Sequence, residues 1–321
     1  MHKSSVYITR MIPDSGIALL TGAGLAVRMN PNARPIRTEE LIDEAPRHDA
    51  LICQVTDSID RSVLRAAAPR CKVVATCAVG FDNIDRATAH ELGIIITNTP
   101  DVLTEATADL TWALLLATAR RLGEAERLVR AGAWRGWGMM DFLGMDINGK
   151  TLGLIGAGRI GTAVAKRAAG FNMRLLYAAR EPKTPIESCG ATRVALPELL
   201  AESDFISPHV PLNEETHHLI DETAFDRMKR TAILINTARG PIVDPVALIE
   251  ALRDGRIAAA GLDVYDKEPA IPAELLEMDN VVLLPHIGSA TIHTRKQMAN
   301  RAAANVIAVL RGEQPLNAVN P

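Results

Sequence analysis

The sequence predicts an α/β protein built on parallel sheets and divided into two domains. Three observations predict it. Short apolar runs alternate with helical patterns, the alternation starts afresh after Gly149, and 321 residues is long for a single core. Strand–helix alternation with short loops puts helices on both faces of a sheet, the setting that buries parallel strands.

In the first series, "SVYIT" (5–9), "ALICQV" (50–55), "KVVATCAV" (72–79) and "GIIITNT" (93–99) read as strands. "EATADLTWALLLATARRL" (105–122) reads as a helix with Thr104 placed to cap it. Its middle is apolar over more than one face, which predicts burial at a domain junction or subunit interface. The second series comprises "TLGLIG" (151–156), "MRLLYAA" (173–179), "FISPHVPL" (205–212), "AILINTA" (232–238), "AAAGLDVY" (258–265) and "VVLLP" (281–285). The tail "RKQMANRAAANVIAVLRG" (295–312) reads as a helix ending at Gly312 and returning to the first domain.

Composition narrows the classes. Hydrophobic residues make up 48% and charged residues 23%, the mix expected of a soluble globular protein. A net charge of −3 offers no field to draw the chain to nucleic acid or an anionic membrane. No segment approaches the ~18 consecutive apolar residues of a membrane span, and "MHKSSVYITRMIPDSG" has no leader-like apolar run. Cys53, Cys71, Cys77 and Cys189 show no metal-ligand spacing. The first three sit in or beside apolar runs, which predicts buried free thiols in a reducing cytoplasm and no metal site.

"TLGLIGAGRIGTAVAKRAAGF" is the most specific local signal. An apolar strand leads into Gly156, Gly158 and Gly161, spaced GxGxxG, and an alanine-rich helix follows. The first glycine permits the turn, the second lets backbone approach a pyrophosphate, and the third lets helix and strand pack closely. The next strand ends in Ala178 and Ala179, followed by Arg180 and Lys183. An NAD-preferring site places a carboxylate here for the ribose, whereas this basic turn suits a 2′-phosphate. The reading is NADP(H), with NAD(H) possible because a one-residue shift makes Glu181 the ribose carboxylate.

Three later strand ends carry unusual residues. "ILINTARGPIVD" presents Arg239, "GLDVYDKEP" holds Asp263 and then Glu268, and "LLPHIGSA" supplies His286. Ligands of open parallel sheets sit at the carboxyl ends of strands, so these side chains can converge on one bound nicotinamide. Hydride delivery to a carbonyl leaves charge on oxygen, and a histidine beside a carboxylate suits the proton donation that follows. Arginine can fork onto a substrate carboxylate in a way lysine cannot. Taken singly, each of Arg239, Glu268 and His286 has an ordinary structural reading; together they describe a 2-oxo acid reductase. The remaining histidines, His2, His48, His90, His209, His217, His218 and His293, read as surface residues, with a supporting role open to His209.

"GKTLGLIGAGRIGTAVAKRAAGFNM", "HVPLNEETHHLI", "ILINTARGPIVD", "AAAGLDVYDKEP" and "NVVLLPHIGSAT", with "CAVGFDNID" and "ITNTPDVLTEATAD" before them, resemble the D-isomer-specific 2-hydroxyacid dehydrogenases over nearly the whole chain. The likeness is greatest to the glyoxylate/hydroxypyruvate reductase branch. The resemblance implies two Rossmann-like domains flanking a cleft. One is a flavodoxin-like substrate domain (1–100 with 289–321 returning to it), the other an NAD(P)-binding domain (101–288). It implies catalysis by Arg239, Glu268 and His286, with His286 as acid/base, and a substrate carboxylate held by Arg239, His286 and the backbone N–H groups around Val79 and Gly80. Implied cofactor contacts are Gly156, Ala157, Gly158, Arg159 and Ile160 in the turn, then Arg180. Val210, Pro211 and Thr216 follow, then Thr237, Ala238, Arg239, Asp263, His286 and Gly288. A homodimer involving helix 105–122 is implied as well. "GMMDF" after Trp134 and Trp137 matches less closely, so glyoxylate, hydroxypyruvate and 2-ketogluconate stay open as substrates. Formate or phosphite oxidation on the same scaffold, or a dinucleotide-sensing binding protein whose turnover is incidental, are the alternatives.

Overall fold

The computed structural model describes residues 3–319, so His2 lies outside the described residues. The chain divides into two compact units, residues 1–103 with 289–321, and residues 104–288.

In the first unit β1 (Ser5–Ile8), β2 (Ala26–Met29), β3 (Ala50–Cys53), β4 (Val73–Thr76) and β5 (Ile95–Thr97) form a five-stranded sheet. Its order is β2-β1-β3-β4-β5 and every pair is parallel, the flavodoxin-like arrangement. The sheet alternates its side chains between two cores. Tyr7, Leu51 and Val74 join one cluster, while Val6, Ile8, Ile52 and Val73 join the other with Ala299, Ala302 and Val306 of the C-terminal helix Ile292–Leu310. That helix is capped by the Thr291 hydroxyl, which accepts from Thr294 N at 3.0 Å, and stops before Gly312 at φ 76°. It packs on helix Asp14–Gly22 at Gly16, whose absent Cβ would lie 3.0 Å from both the Cβ and the backbone oxygen of Ala299.

The second unit holds β6 (Thr151–Ile155), β7 (Arg174–Ala178), β8 (Thr192–Arg193), β9 (Phe205–Pro208), β10 (Ile233–Asn236), β11 (Ala259–Leu262) and β12 (Val281–Leu283). The order is β12-β11-β10-β9-β6-β7-β8, again parallel throughout. β6, β9, β10 and β11 are buried along their whole length, as strands covered on both faces must be. Helix Thr104–Ala119 covers one face: Trp112 donates its indole N–H to Val164 O at 3.0 Å and stacks on Phe171 at 4.9 Å. No helix among the described residues is long and apolar enough to cross a membrane.

The α/β class with parallel sheets agrees with the sequence reading, and several details differ. β2 and β8 escaped it because one is a four-residue edge strand whose Val27 and Met29 are only partly buried against the core and the other spans two exposed residues. Thr104, expected as a cap, is the first helical residue. Helix 105–122 ends early, at Ala119, and Arg121 at φ 54° turns the chain into a second helix, Leu122–Arg130. His48 is not a surface residue: it is 5% exposed, stacks on Tyr7 at 5.2 Å, and meets Glu44 Oε2 at 3.4 Å. All four cysteines are free, with Cys53 and Cys71 buried and Cys77 only partly so.

Gly16→Val should force the two helices apart and cost about 1–3 kcal/mol, since backbone at the contact cannot rotate out of the way. A lowered denaturant midpoint checks this; an unchanged midpoint would show that the helices have room.

Candidate active site

The glycine turn sits where the order of the second sheet reverses, between β6 and β9, at the carboxyl ends of both strands. Gly156 adopts φ 102°, and a Cβ there would come within 2.7 Å of His209 O and 2.8 Å of Val210 Cγ1. Gly161 permits a similar approach, since its Cβ would meet Gly156 O at 2.5 Å. A Cβ on Gly158 would meet nothing within 4 Å. Two glycines thus close the turn and the middle one keeps backbone bare toward open space, at the N-terminus of helix Arg159–Ala168. That helix start, carrying Arg159 and Ile160 and preceded by Ala157, fits the pyrophosphate of a dinucleotide.

His209 lies directly behind this turn. Ser207 Oγ donates to Ile235 O at 3.0 Å, so the 3.0 Å contact with His209 Nε2 has the imidazole N–H as donor. Burial pushes the His209 pKa down to about 4, and the ring stays neutral. It supports the glycine backbone, as a residue whose Cβ lies 3.5 Å from the position a Gly161 Cβ would take.

At the end of β7, Arg180 is 90% exposed, with Nη1 3.8 Å from Glu215 Oε2. Glu181 faces Lys183 at 3.8 Å. Arg193, on the unforeseen β8, donates to Ala179 O at 3.1 Å and to Arg180 O at 2.7 Å, adding a third cation to this turn and fixing its backbone. Pro211 and Thr216 belong to one loop, closed by Thr216 Oγ1 donating to Pro211 O at 2.7 Å.

Three neighbouring strand ends then assemble the chemistry. After β10, Asn236 binds both sides of its own turn: Nδ2 donates to Arg239 O at 2.9 Å and Oδ1 accepts from Ala238 N at 3.0 Å. Thr237 Oγ1 meets Thr111 Oγ1 at 2.8 Å, and Arg239 Nη1 donates to Ala238 O at 2.8 Å. Gly240 follows against the next strand's loop, so close that a Cβ would lie 1.9 Å from Tyr265 C. After β11, Asp263 is fully buried and accepts from Ile287 N at 2.7 Å and Gly288 N at 2.8 Å. Burial raises its pKa despite those two bonds and the facing His286. After β12, His286 takes φ 55°, a left-handed conformation uncommon outside glycine.

His286 Nδ1 and Glu268 Oε2 are 2.7 Å apart, and Glu268 Oε1 accepts from Tyr265 N at 3.1 Å. Burial acts to raise the Glu268 pKa, but the His286 bond and charge, the Tyr265 N–H and the Arg239 charge outweigh it and leave it lowered. A depressed carboxylate pKa means that the pair's stabilisation is complete above the ordinary carboxylate range and is lost as pH falls through the lowered value. An ionised Glu268 can only accept, so Nδ1 carries a proton in either charge state and Nε2 is the atom free to exchange one.

The structure therefore brings Arg239, Glu268, His286, Asp263 and Gly288 together within one unit with the glycine turn. Val79 and Gly80 lie in the other unit, in the loop after β4. Sequence reading missed Asn236, Thr111 and Arg193. A polar residue closing the apolar run "AILIN" was the available signal for Asn236; nothing comparable marked Arg193.

The class this fold and site define is that of the nicotinamide-dinucleotide-binding α/β proteins. A family model described as the NAD-binding domain of D-isomer-specific 2-hydroxyacid dehydrogenases matches residues 112–288. A glyoxylate reductase of Thermococcus onnurineus is 50% identical over 99% of this chain and 96% of its own length. Among solved structures, a protein from Thermus thermophilus has a TM-score of 0.92 at 46% identity, covering 98% of this chain and 99% of that one. An NADPH-dependent glyoxylate/hydroxypyruvate reductase from Sinorhizobium meliloti, solved with NADP and malonate, has a TM-score of 0.87 at 31% identity over 99% and 97% of the two chains. The chain belongs to the D-isomer-specific 2-hydroxyacid dehydrogenase family, in its glyoxylate reductase branch.

Gly240→Ala should separate the Arg239 turn from the 263–268 loop and lower stability by about 3 kcal/mol, because both sides of the clash are backbone. Thermal unfolding reads the effect; a melting temperature within a degree of the parent would contradict the packing described.

Proposed function

We propose that the protein reduces a small 2-oxo acid, glyoxylate or hydroxypyruvate, to its 2-hydroxy acid, with NADPH preferred over NADH. The single observation that carries this reading is the Glu268–His286 pair at 2.7 Å, set beside Arg239 at the carboxyl ends of parallel strands. The dinucleotide, when bound, supplies the hydride. Arg239 forks onto the substrate carboxylate and polarises the neighbouring carbonyl. His286 gives the Nε2 proton to the carbonyl oxygen as charge develops there, and the neutral ring keeps its Nδ1–H, still donated to Glu268. Solvent returns the spent proton. In the reverse direction the same ring accepts the hydroxyl proton, so reduction is favoured at lower pH and oxidation at higher pH.

In this reading unit 104–288 binds the dinucleotide through Gly156–Ile160, Val210, Pro211, Thr216, Thr237, Ala238, Asp263 and Gly288. The other unit binds the acid through the N–H groups of Val79 and Gly80. Arg180, Lys183 and Arg193 at the β7 turn support the preference for a 2′-phosphate, with Glu181 3.8 Å from Lys183 in the same turn. Trp134 and Trp137 are 61% and 83% exposed, and Met139 and Met140 nearby are also exposed, which supports a homodimer that covers them. Four free thiols support a reducing, cytoplasmic setting.

NADPH oxidation measured with glyoxylate, hydroxypyruvate and 2-ketogluconate tests the reading directly. His286→Ala should lower reduction by about 10²–10⁴-fold while NADPH still binds. Near-parental turnover would remove this ring from the mechanism. Arg180→Ala should cut the NADPH-over-NADH preference by about 10- to 150-fold, the equivalent of one charge-assisted hydrogen bond. Equal losses for both coenzymes would refute the assignment of this turn to the 2′-phosphate.

A further inference from the structure

The loop carrying Val79 and Gly80 meets residues 98–99 through two of its carbonyls. Ala78 O accepts from Thr99 N at 2.8 Å, and Val79 O accepts from Asn98 Nδ2 at 2.8 Å. Two successive carbonyls therefore face the same stretch of chain, where extended backbone would alternate them. Each peptide is planar and trans, with its N–H opposite its C=O. The N–H groups of Val79 and Gly80 belong to these same two peptides, so both point away from residues 98–99, side by side. Successive N–H groups aimed together form a concavity for an anion. Among the described residues no hydrogen bond from either N–H is seen, and both residues are only partly buried.

Asn98 is itself fixed. It is 7% exposed; its N donates to Asn317 O at 3.2 Å, and its O accepts at 3.2 Å from Asn305 Nδ2 on the C-terminal helix. Asn305 is 1% exposed and reaches Asn317 Oδ1 at 3.4 Å as well. Holding Asn98 by its backbone leaves its side chain one task, the carbonyl of Val79.

We propose that Asn98 is a positioning residue whose amide orients the Val79–Gly80 peptide so that two backbone N–H groups face the carboxylate of the 2-oxo acid. The inference rests on the functional reading above and adds to it the side chain that prepares its carboxylate seat. Without the Asn98 donor, the Val79 carbonyl is free to rotate, and the Gly80 N–H rotates with it. The effect falls on recognition of the acid and leaves the dinucleotide site untouched.

The test is steady-state kinetics on the full chain with Asn98→Ala and with Asn98→Leu, which keeps the shape of the side chain and drops the donor. The glyoxylate KM should rise about tenfold, the scale of one hydrogen bond to a charged group. The kcat should change less than the KM, and the NADPH dissociation constant, read by fluorescence titration, should stay within twofold. The leucine protein gives the answer if the alanine protein folds poorly. A glyoxylate KM within twofold of the parent, or equal losses toward glyoxylate and NADPH, overturns the inference. Failure of the parent protein to turn over any 2-oxo acid overturns the functional reading first, which separates the two failures.

Discussion

The buried carboxylate of Asp263 is the constraint on which the rest of the site depends. It takes two backbone N–H groups, Ile287 and Gly288, at 2.7 and 2.8 Å, and so fixes the chain immediately after His286. A left-handed histidine costs on the order of 1–2 kcal/mol relative to ordinary backbone, and such a residue persists only where its surroundings leave no alternative. Asp263 removes the alternative. It ends one strand, His286 follows the adjacent one, and β11 and β12 are already registered by Leu262 opposite Leu283. The imidazole is thereby aimed by the sheet, through a carboxylate whose desolvation is only partly offset by the bonds that do the aiming.

Several features follow from that requirement. Tyr265 holds the same loop from below, its hydroxyl donating to Leu284 O at 2.8 Å while its N–H binds Glu268. The partner of His286 is thus set by the strand that also supplies Asp263, and the ring and its carboxylate cannot drift independently. On the other side Gly240 brings the Arg239 turn against Tyr265 with no side chain between. Preorganisation of this kind matters for the proposed chemistry, in which a general acid and an arginine act only within hydrogen-bond reach of the reacting carbonyl.

Much of this was legible in the sequence, for identifiable reasons. Buried parallel strands read as continuous apolar runs, so β3, β4, β6, β9, β10 and β11 were visible, and residues interrupting such runs at their carboxyl ends had to be functional or structurally costly. Arg239, Glu268 and His286 were found that way. β2 and β8 were not, because β2 is a short edge strand only half-buried through Val27 and Met29 and β8 is two exposed residues, so neither makes a continuous apolar run. Arg193 stayed hidden with β8. His48 reads as exposed because Tyr7, which stacks on it, is brought to it by a tertiary contact that spacing does not encode; its other partner, Glu44, lies only four residues earlier. Asn98 likewise reads as a turn residue in "ITNTP"; only its 2.8 Å bond to Val79 O gives it a task.

The two ends of the second unit's binding surface are built to different tolerances. Around His286 the Asp263 and Glu268 carboxylates are held by short bonds to Ile287, Gly288 and Tyr265 N–H groups and to the imidazole, and altering one disturbs the others through shared backbone. At the β7 turn the cations are exposed, with ion pairs of 3.8 Å for both Arg180 and Lys183. Exposed pairs of that length contribute little to stability and can be exchanged without repacking. On the proposed reading, coenzyme choice can therefore change by substitution at a few surface positions, while the Glu268–His286 geometry is locked into the sheet. That separation gives a physical reason why one scaffold can hold its chemistry constant and vary the dinucleotide it accepts.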